Sequence, residues 1–459
     1  MGMRRSRSER KQRRRRASTG GGADLISGLG DDVLVRILEL LPDAGDAVRT
    51  GALSRPLRVQ QQAHNKGARR FASFVNSAIA QTDPAVQVEH LAISFETPHE
   101  LLPPSVVSKA AAPRWIRDAV QHDVKTFTLE LHHGGGDRFC FDSKANLCGQ
   151  YAVMILDDLE LERSARMETM RLALGGATVR LPSTAAAFAS LADLTLENME
   201  LAVDSGRLLS SACCPRLQKL RLREVSFATG GTSIIFLEEE DNDMEELLLL
   251  IESEELLELS WEEVLLGPGI LRLRTPRLRL LRTVGGDLSA LTISAPSLED
   301  LLFLDSQPYI INIEIDGELL PCVRSLRVEL TSNADDYAGC DDEKNGVTFG
   351  LFRYCTAAAC LDLDLYVFED NWHSHAAYCL PHLVEVEFMG LAGTECELWF
   401  MESMLTSTTQ LQKGTISFDP KSSLKNRIHA FERIPPLQDN GMWTCCHEPY
   451  LSLEWKLSL

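Results

Sequence analysis

Leu191-Ala192-Asp193-Leu194-Thr195-Leu196 is followed 26 residues later by Leu217-Gln218-Lys219-Leu220-Arg221-Leu222, and the reading of this pair decides the fold. Each stretch opens on an aliphatic anchor, leaves two residues, then alternates leucine with a polar side chain. A period of two is what a β-strand imposes, because successive side chains point to opposite faces. The same spacing occurs at Met167-x-x-Met170-x-Leu172 and Met244-x-x-Leu247-x-Leu249. It returns at Leu278-x-x-Leu281, Leu298-x-x-Leu301, Val323-x-x-Leu326-x-Val328 and Leu383-x-x-Val386-x-Phe388. From Met167 the anchors advance by 24, 26 and 27 residues, and from Leu278 by 20 and 25. Pro215, Pro276, Pro296, Pro321 and Pro381 each stand two residues ahead of an anchor. Proline has no N–H to give to a strand ladder, so it suits the point just before a strand begins.

These steps fall within the roughly 20 to 29 residues of a leucine-rich repeat, which the pattern resembles. Upstream, two helix-like stretches (Phe71, Phe74, Val75, Ala78, Ile79 and Trp115, Ile116, Ala119, Val120) lead into the alternating runs Val88 to Ile93 and Val124 to Leu131. The expected fold class is therefore α/β, a repeat solenoid or horseshoe with a parallel sheet on its concave face. Anchor leucines point into a shared core, and intervening residues face outward. Thr195, Arg221, Arg223, Leu248, Leu250 and Arg327 are the expected outward residues. The spacing is irregular in places: Leu256-x-x-Leu259-x-Trp261 follows Met244 by 12 residues, so one of the two belongs to a convex-side or edge element. The acidic stretch with Asp335, Asp336, Asp341, Asp342 and Glu343 reads as a loop. Leu398, Phe400, Met401, Met404 and Leu405, leading into Thr415-Ile416-Ser417-Phe418, read as a helix and strand capping the array.

The N-terminal part has a different period. Asp31 is a suitable N-cap for a helix carrying Val33, Leu34, Ile37, Leu38 and Leu41 on one face, and Pro42 ends it. Asp43 can cap a second short helix with Ala44, Ala47, Val48 and Ala52. The stretch from Asp24 through Leu29-Gly30-Asp31-Asp32, Leu41-Pro42 and Leu53-Ser54-Arg55 resembles the F-box of plant F-box/leucine-rich-repeat proteins. That resemblance implies docking onto a Skp-type adaptor, and through it a cullin scaffold, by Leu29, Leu34, Ile37, Leu38, Leu41, Pro42 and Val48. It also implies a client protein held on the repeat face. The family pattern continues with a third helix and a tryptophan, whereas this chain has Pro56 and no tryptophan before it resumes near Arg69. The expected organisation is a basic tail and Gly-rich linker over 1–23, a helical module over 24–68, repeats over 69–390 and an FBD-like cap over 391–459.

Net charge of -20 across 459 residues argues against general nucleic-acid binding, which draws on clustered Lys and Arg. Nine basic residues lie between Arg4 and Arg16 with only Glu9 among them, so the remainder carries about -28. Such a tail is either a nuclear-import signal or a solvated segment. No run approaches the roughly 18 apolar residues of a membrane span. With no secretory core behind the arginines, the 12 cysteines read as reduced thiols of a nuclear or cytoplasmic protein.

Catalytic and metal signatures are weak. No phosphate loop, GxSxG or HExxH lies in a suitable context. His132-His133 before Gly134-Gly135-Gly136 reads as a polar turn. His373-Ser374-His375 with Cys379 lacks a second ligand cluster, and Glu238 to Glu246 lacks a glycine-punctuated calcium loop. No cofactor, metal or catalytic residue is expected. Arg272, Arg274, Arg277, Arg279 and Arg282 form a basic row that either pairs internally or receives an acidic segment. Arg221, Arg223, Arg277, Arg279 and Arg327 are the expected client contacts. The alternative reading is a repeat scaffold, or nuclear binding module, whose F-box does not function.

Overall fold

The computed structural model describes residues 56–62, 65–81, 88–98, 106–134, 159–160, 163–180, 187–202, 207–228, 247–266, 269–286, 288–304, 312–315, 320–331, 351–366, 380–433, 441–446 and 452–457. It is an α/β protein dominated by parallel strands. In chain order the strands are β1 (Pro56–Gln62), β2 (His90–Pro98), β3 (Thr126–Gly134), β4 (Leu159–Glu160), β5 (Thr169–Arg180), β6 (Asp193–Ala202) and β7 (Arg207–Ser210). There follow β8 (Lys219–Ala228), β9 (Leu247–Glu252), β10 (Glu258–Glu262), β11 (Gly269–Arg274), β12 (Leu280–Val284), β13 (Leu288–Ser294) and β14 (Asp300–Leu304). The last are β15 (Asn312–Ile315), β16 (Ser325–Thr331), β17 (Cys360–Tyr366), β18 (Glu385–Leu391), β19 (Lys413–Phe418), β20 (Gly441–Cys446) and β21 (Ser452–Leu457). Helices are α1 (Asn65–Gln81), α2 (Val106–Gln121), α3 (Glu395–Ser407) and α4 (Leu424–Arg433).

A 16-stranded sheet runs β1-β2-β3-β5-β6-β8-β10-β12-β14-β16-β17-β18-β19-β21-β20, with β4 beside β5. It is parallel as far as β19, and its last two pairings are antiparallel. A second, five-stranded parallel sheet runs β15-β13-β11-β9-β7. From β6 to β16 the chain alternates strand by strand between the two sheets. Parallel neighbours need a crossover, and here it is a helix between β1, β2 and β3 but a short strand of the second sheet in the middle of the chain. Inward residues of both sheets meet in one hydrophobic core with α1, α2 and α3.

The anchors explain why the chain turns where it does. Leu217, Leu278, Leu298, Val323 and Leu383 are all buried. Their N–H groups close tight turns onto Cys214, Thr275, Ala295, Leu320 and Leu380 carbonyls at 3.2, 3.0, 3.1, 3.4 and 3.2 Å. The preceding proline is thus the second residue of a turn, where its fixed φ fits. The residue after each anchor ties one turn to the next. The Ala192 carbonyl accepts the Gln218 and Lys219 N–H groups at 2.8 and 2.9 Å, and Leu257, Arg279, Glu299, Arg324, Ala359 and Val384 carbonyls repeat the arrangement. Seven residues past their anchors, Asn198, Glu224, Glu263, Gly285 and Gly390 all have positive φ, so these strands end on the same kink.

At the C-terminal end the helix and strand expected after Glu395 are α3 and β19. Thr394 caps α3 in a capping box with Glu397. The buried Glu397 carboxylate accepts the N–H groups of Ala392, Gly393 and Thr394 at 3.3, 2.7 and 2.9 Å. Burial nevertheless pushes its carboxyl above the ordinary range.

Several placements differ from the sequence reading. Of the Met244 and Leu256 runs, one was expected to be a convex-side or edge element: β9, which follows Met244, lies in the second sheet, and Leu256 is the next anchor of the large sheet. Both segments carry the same aliphatic spacing, so the pattern alone does not separate them. Leu248 and Leu250 accordingly belong to the second sheet. Ala358, too small to stand out as an aliphatic anchor, and Leu411, followed three residues on by Gly414, also occupy buried anchor positions. His132 and His133 continue β3, paired with Glu96 and Thr97, where a turn was expected. Pro56–Gln62 pairs in parallel with β2, and α1 crosses the expected boundary between 68 and 69. The loop expected around Asp335 to Glu343, the His373 to Cys379 cluster and the acidic run Glu238 to Glu246 lie outside the described residues.

Candidate functional site

Strict register across the large sheet creates one continuous row of outward side chains. Ala92, Thr128, Arg171, Thr195, Arg221 and Ser260 are successive Cα partners. The row continues through Arg282, Leu302, Arg327, Asp362, Glu387 and Thr415. Behind each member sits a buried core residue one position away, such as Leu220 beside Arg221 or Leu326 beside Arg327. The side chain's direction is therefore fixed by the pleat, not by local contacts.

The row changes sign along its length. Arg171, Arg221, Arg282 and Arg327 precede Leu302 or flank it, and Asp362 and Glu387 follow. Arg171 bridges Glu130 and Glu197 at 3.2 Å each, Arg223 reaches Glu197 at 3.5 Å, and Arg282 reaches Glu262 at 3.1 Å. Arg327 donates to Asp364 at 3.3 Å, while its Nε is buried without a partner among the described residues. Arg221 is exposed and has no carboxylate partner among the described residues. Beyond Arg327 the balance is acidic. Desolvation and the neighbouring Asp364 raise the Glu329 carboxyl, and desolvation raises Asp362 and Glu387 further, each also repelled by the other acids.

Between the charged flanks lies an apolar group: Leu280, 37% exposed, with Val284, Leu302 and Leu304 half-buried on β12 and β14. Outward positions in a one-sided sheet are ordinarily polar, so this group is the departure that marks the face.

Of the residues expected to contact a client, Arg221 and Arg223 stand on β8 and Arg327 on β16, all facing outward. Arg277 and Arg279 do not join them on a strand. Both lie in the turn ahead of β12, where Arg277 pairs with Glu255. Arg279 grips Glu299 through Nε at 3.0 Å and Nη2 at 2.6 Å, holding that carboxylate below its ordinary range. Arg272 and Arg274 sit on β11 in the second sheet, so the five arginines share no single face. Internal pairing accounts for Arg277, Arg279 and Arg282. Thr195 is in the row, and Leu248 and Leu250 are not. Leu29, Leu34, Ile37, Leu38, Leu41, Pro42 and Val48 lie outside the described residues. Asp362, Glu387 and Leu302 were not among the expected outward residues, although each lies four positions past an anchor, Ala358, Leu383 and Leu298.

No protein-family model matches the chain, and no curated protein matches it. Cys213, Cys214 and Cys355 are buried, Cys322 is exposed, none of the four is in a disulfide, and burial pushes the Cys355 thiol up to about 12. Among the described residues no group of three His, Cys, Asp or Glu side chains is placed to hold a metal ion. No described helix is long and apolar enough to cross a membrane.

Proposed function

We propose that this chain is a leucine-rich-repeat protein of the F-box type, acting as the non-catalytic client-binding subunit of a Skp-cullin-F-box ubiquitin ligase. The large parallel sheet lines the concave side of a horseshoe, and the outward row is where the client rests. The observation that carries this reading is the row itself: one variable side chain per turn, on a frame of repeated anchors, turns and carbonyl bridges. Stacked repeats present such extended surfaces because only the inward positions are needed to hold the stack.

The N-terminal motif supports the other half of the reading. Leu29, Leu34, Ile37, Leu38, Leu41, Pro42 and Val48 are the positions that hold the Skp-type adaptor, which in turn joins the cullin. The basic tail supports work in the nucleus, the cytoplasm or both. A pull-down with a purified Skp-type adaptor tests the adaptor half directly. The unmutated chain is retained, and the double variant Leu38→Asp, Leu41→Asp is not. An adaptor that binds neither protein removes this reading.

A second reading is a repeat scaffold with no adaptor. What favours it is β1: the residues just after Leu53-Ser54-Arg55 form an edge strand, where the family pattern has a third helix. Loss of adaptor binding with an intact outward face is the result that selects it.

A further inference from the structure

We propose that the outward face of the large sheet receives an extended segment of a partner polypeptide that is acidic at one end, aliphatic in the middle and basic at the other. This rests on the reading of that face as the client-binding one. Three features of the face point the same way. Leu280, Val284, Leu302 and Leu304 form an apolar group with exposed surface on adjoining strands. On the β8 side of it, Arg221 is exposed and has no carboxylate partner among the described residues, while Arg282, on β12 between Leu280 and Val284, is exposed and paired with Glu262 at 3.1 Å. On the β18 side, Arg327 is already engaged by Asp364 at 3.3 Å and Lys413 by Glu385 at 3.7 Å. That leaves Glu329, Asp362 and Glu387 with no cationic partner within ion-pair distance among the described residues.

Carboxyl groups that are half-buried and crowded by one another are relieved by an incoming cation, and an unpaired arginine by an incoming carboxylate. Both conditions sit on one face with aliphatic surface between them, so a single segment satisfies all three. A segment of one charge sign does not, because it meets like charge at one end. Its length follows from the sheet. Arg221 and Glu387 are six strand steps apart, from β8 through β10, β12, β14, β16 and β17 to β18. At roughly 4.8 Å per step this is about 29 Å, which an extended chain crosses in about nine residues. The segment lies across the strands and not along an edge.

Panning a phage-displayed library of random dodecapeptides against the full chain tests this. Enriched sequences should place acidic and basic residues in separate blocks with aliphatic residues between. Arg221→Glu with Arg282→Glu should convert the selected acidic block to a basic one. Asp362→Lys with Glu387→Lys should convert the selected basic block to an acidic one. In fluorescence anisotropy, either pair should weaken an enriched peptide about tenfold, and Leu302→Asp should weaken it comparably. A thermal melt of each variant establishes that it is folded. Enrichment of a single charge sign, unchanged selection on the swapped variants, or no enrichment overturns the proposal. If peptides are selected only after deletion of residues 1–22, and a peptide of that tail competes with them, the occupant is the chain's own tail and the partner segment falls. Adaptor pull-down from the same preparations separates failure here from failure of the ubiquitin-ligase reading.

Discussion

Asp362 on β17 and Glu387 on β18 are direct register partners, two carboxylates facing outward across adjacent parallel strands. Desolvation raises both carboxyl groups, and Asp362 further raises Glu387. Like charges opposed in a sheet cost roughly 0.2–1 kcal/mol. A neutral pair there would hold the fold better.

Neutralising either residue should therefore stabilise the protein. Asp362→Asn and Glu387→Gln each raise Tm at pH 7, and the double variant gains less than the sum, because either change removes the shared repulsion. The sign with pH follows from the upward shifts. A carboxyl raised in the folded state binds more protons folded than unfolded, so stability falls as pH rises from the ordinary carboxylate value of about 4 through the raised one. The gain is full above that window and absent below it. Thermal melts at pH 7 and at about pH 3.5 check this, and a gain that survives at the lower pH contradicts it.

Neighbouring residues on β8 should respond in opposite ways. Leu220 is fully buried and Arg221 is exposed. Leu220→Ala should cost about 2–5 kcal/mol in denaturant unfolding, and Arg221→Ala should stay within about 0.5 kcal/mol. A one-residue slip of register would exchange the two results.

Gly286 tests the kink that ends β12. Its φ is +112°, and a Cβ there would lie 2.7 Å from the Val264 carbonyl oxygen. Gly286→Ala should lower stability by more than about 1 kcal/mol, because an L side chain strains the backbone and the neighbour is also backbone. Equal unfolding midpoints for variant and parent would show that the kink is not held.

The start of α3 separates a cap from a buried anchor. Thr394→Ala should cost about 1 kcal/mol. Glu397→Leu should cost more, because it leaves the N–H groups of Ala392, Gly393 and Thr394 without their carboxylate. Chemical denaturation of the two variants gives the order.

Much of the large sheet was legible because its anchors are long aliphatics at fixed spacing, and burial of Leu191, Leu217, Leu278 and Leu298 follows directly from that pattern. The second sheet was not. β9 and β11 alternate as cleanly as β8, and periodicity reports a buried face without naming the sheet that owns it. The arginines illustrate the same limit. Alternation from Arg272 to Arg282 looks continuous in one dimension, but the turn at Pro276 resets its phase, leaving Arg272 and Arg274 on the second sheet, Arg277 and Arg279 in the turn and Arg282 on the large sheet. Recognition of the row needed pairing between strands, which spacing within a strand does not contain. Arg327, Asp362 and Glu387 are 35 and 25 residues apart in sequence, and only the ladder makes them neighbours.

Co-expression of the full chain with a Skp-type adaptor and a cullin, followed by size-exclusion chromatography, tests the central claim most directly. The account predicts one complex containing all three proteins, lost with Leu38→Asp, Leu41→Asp. Elution of the folded chain by itself, with adaptor and cullin together in another peak, would contradict it.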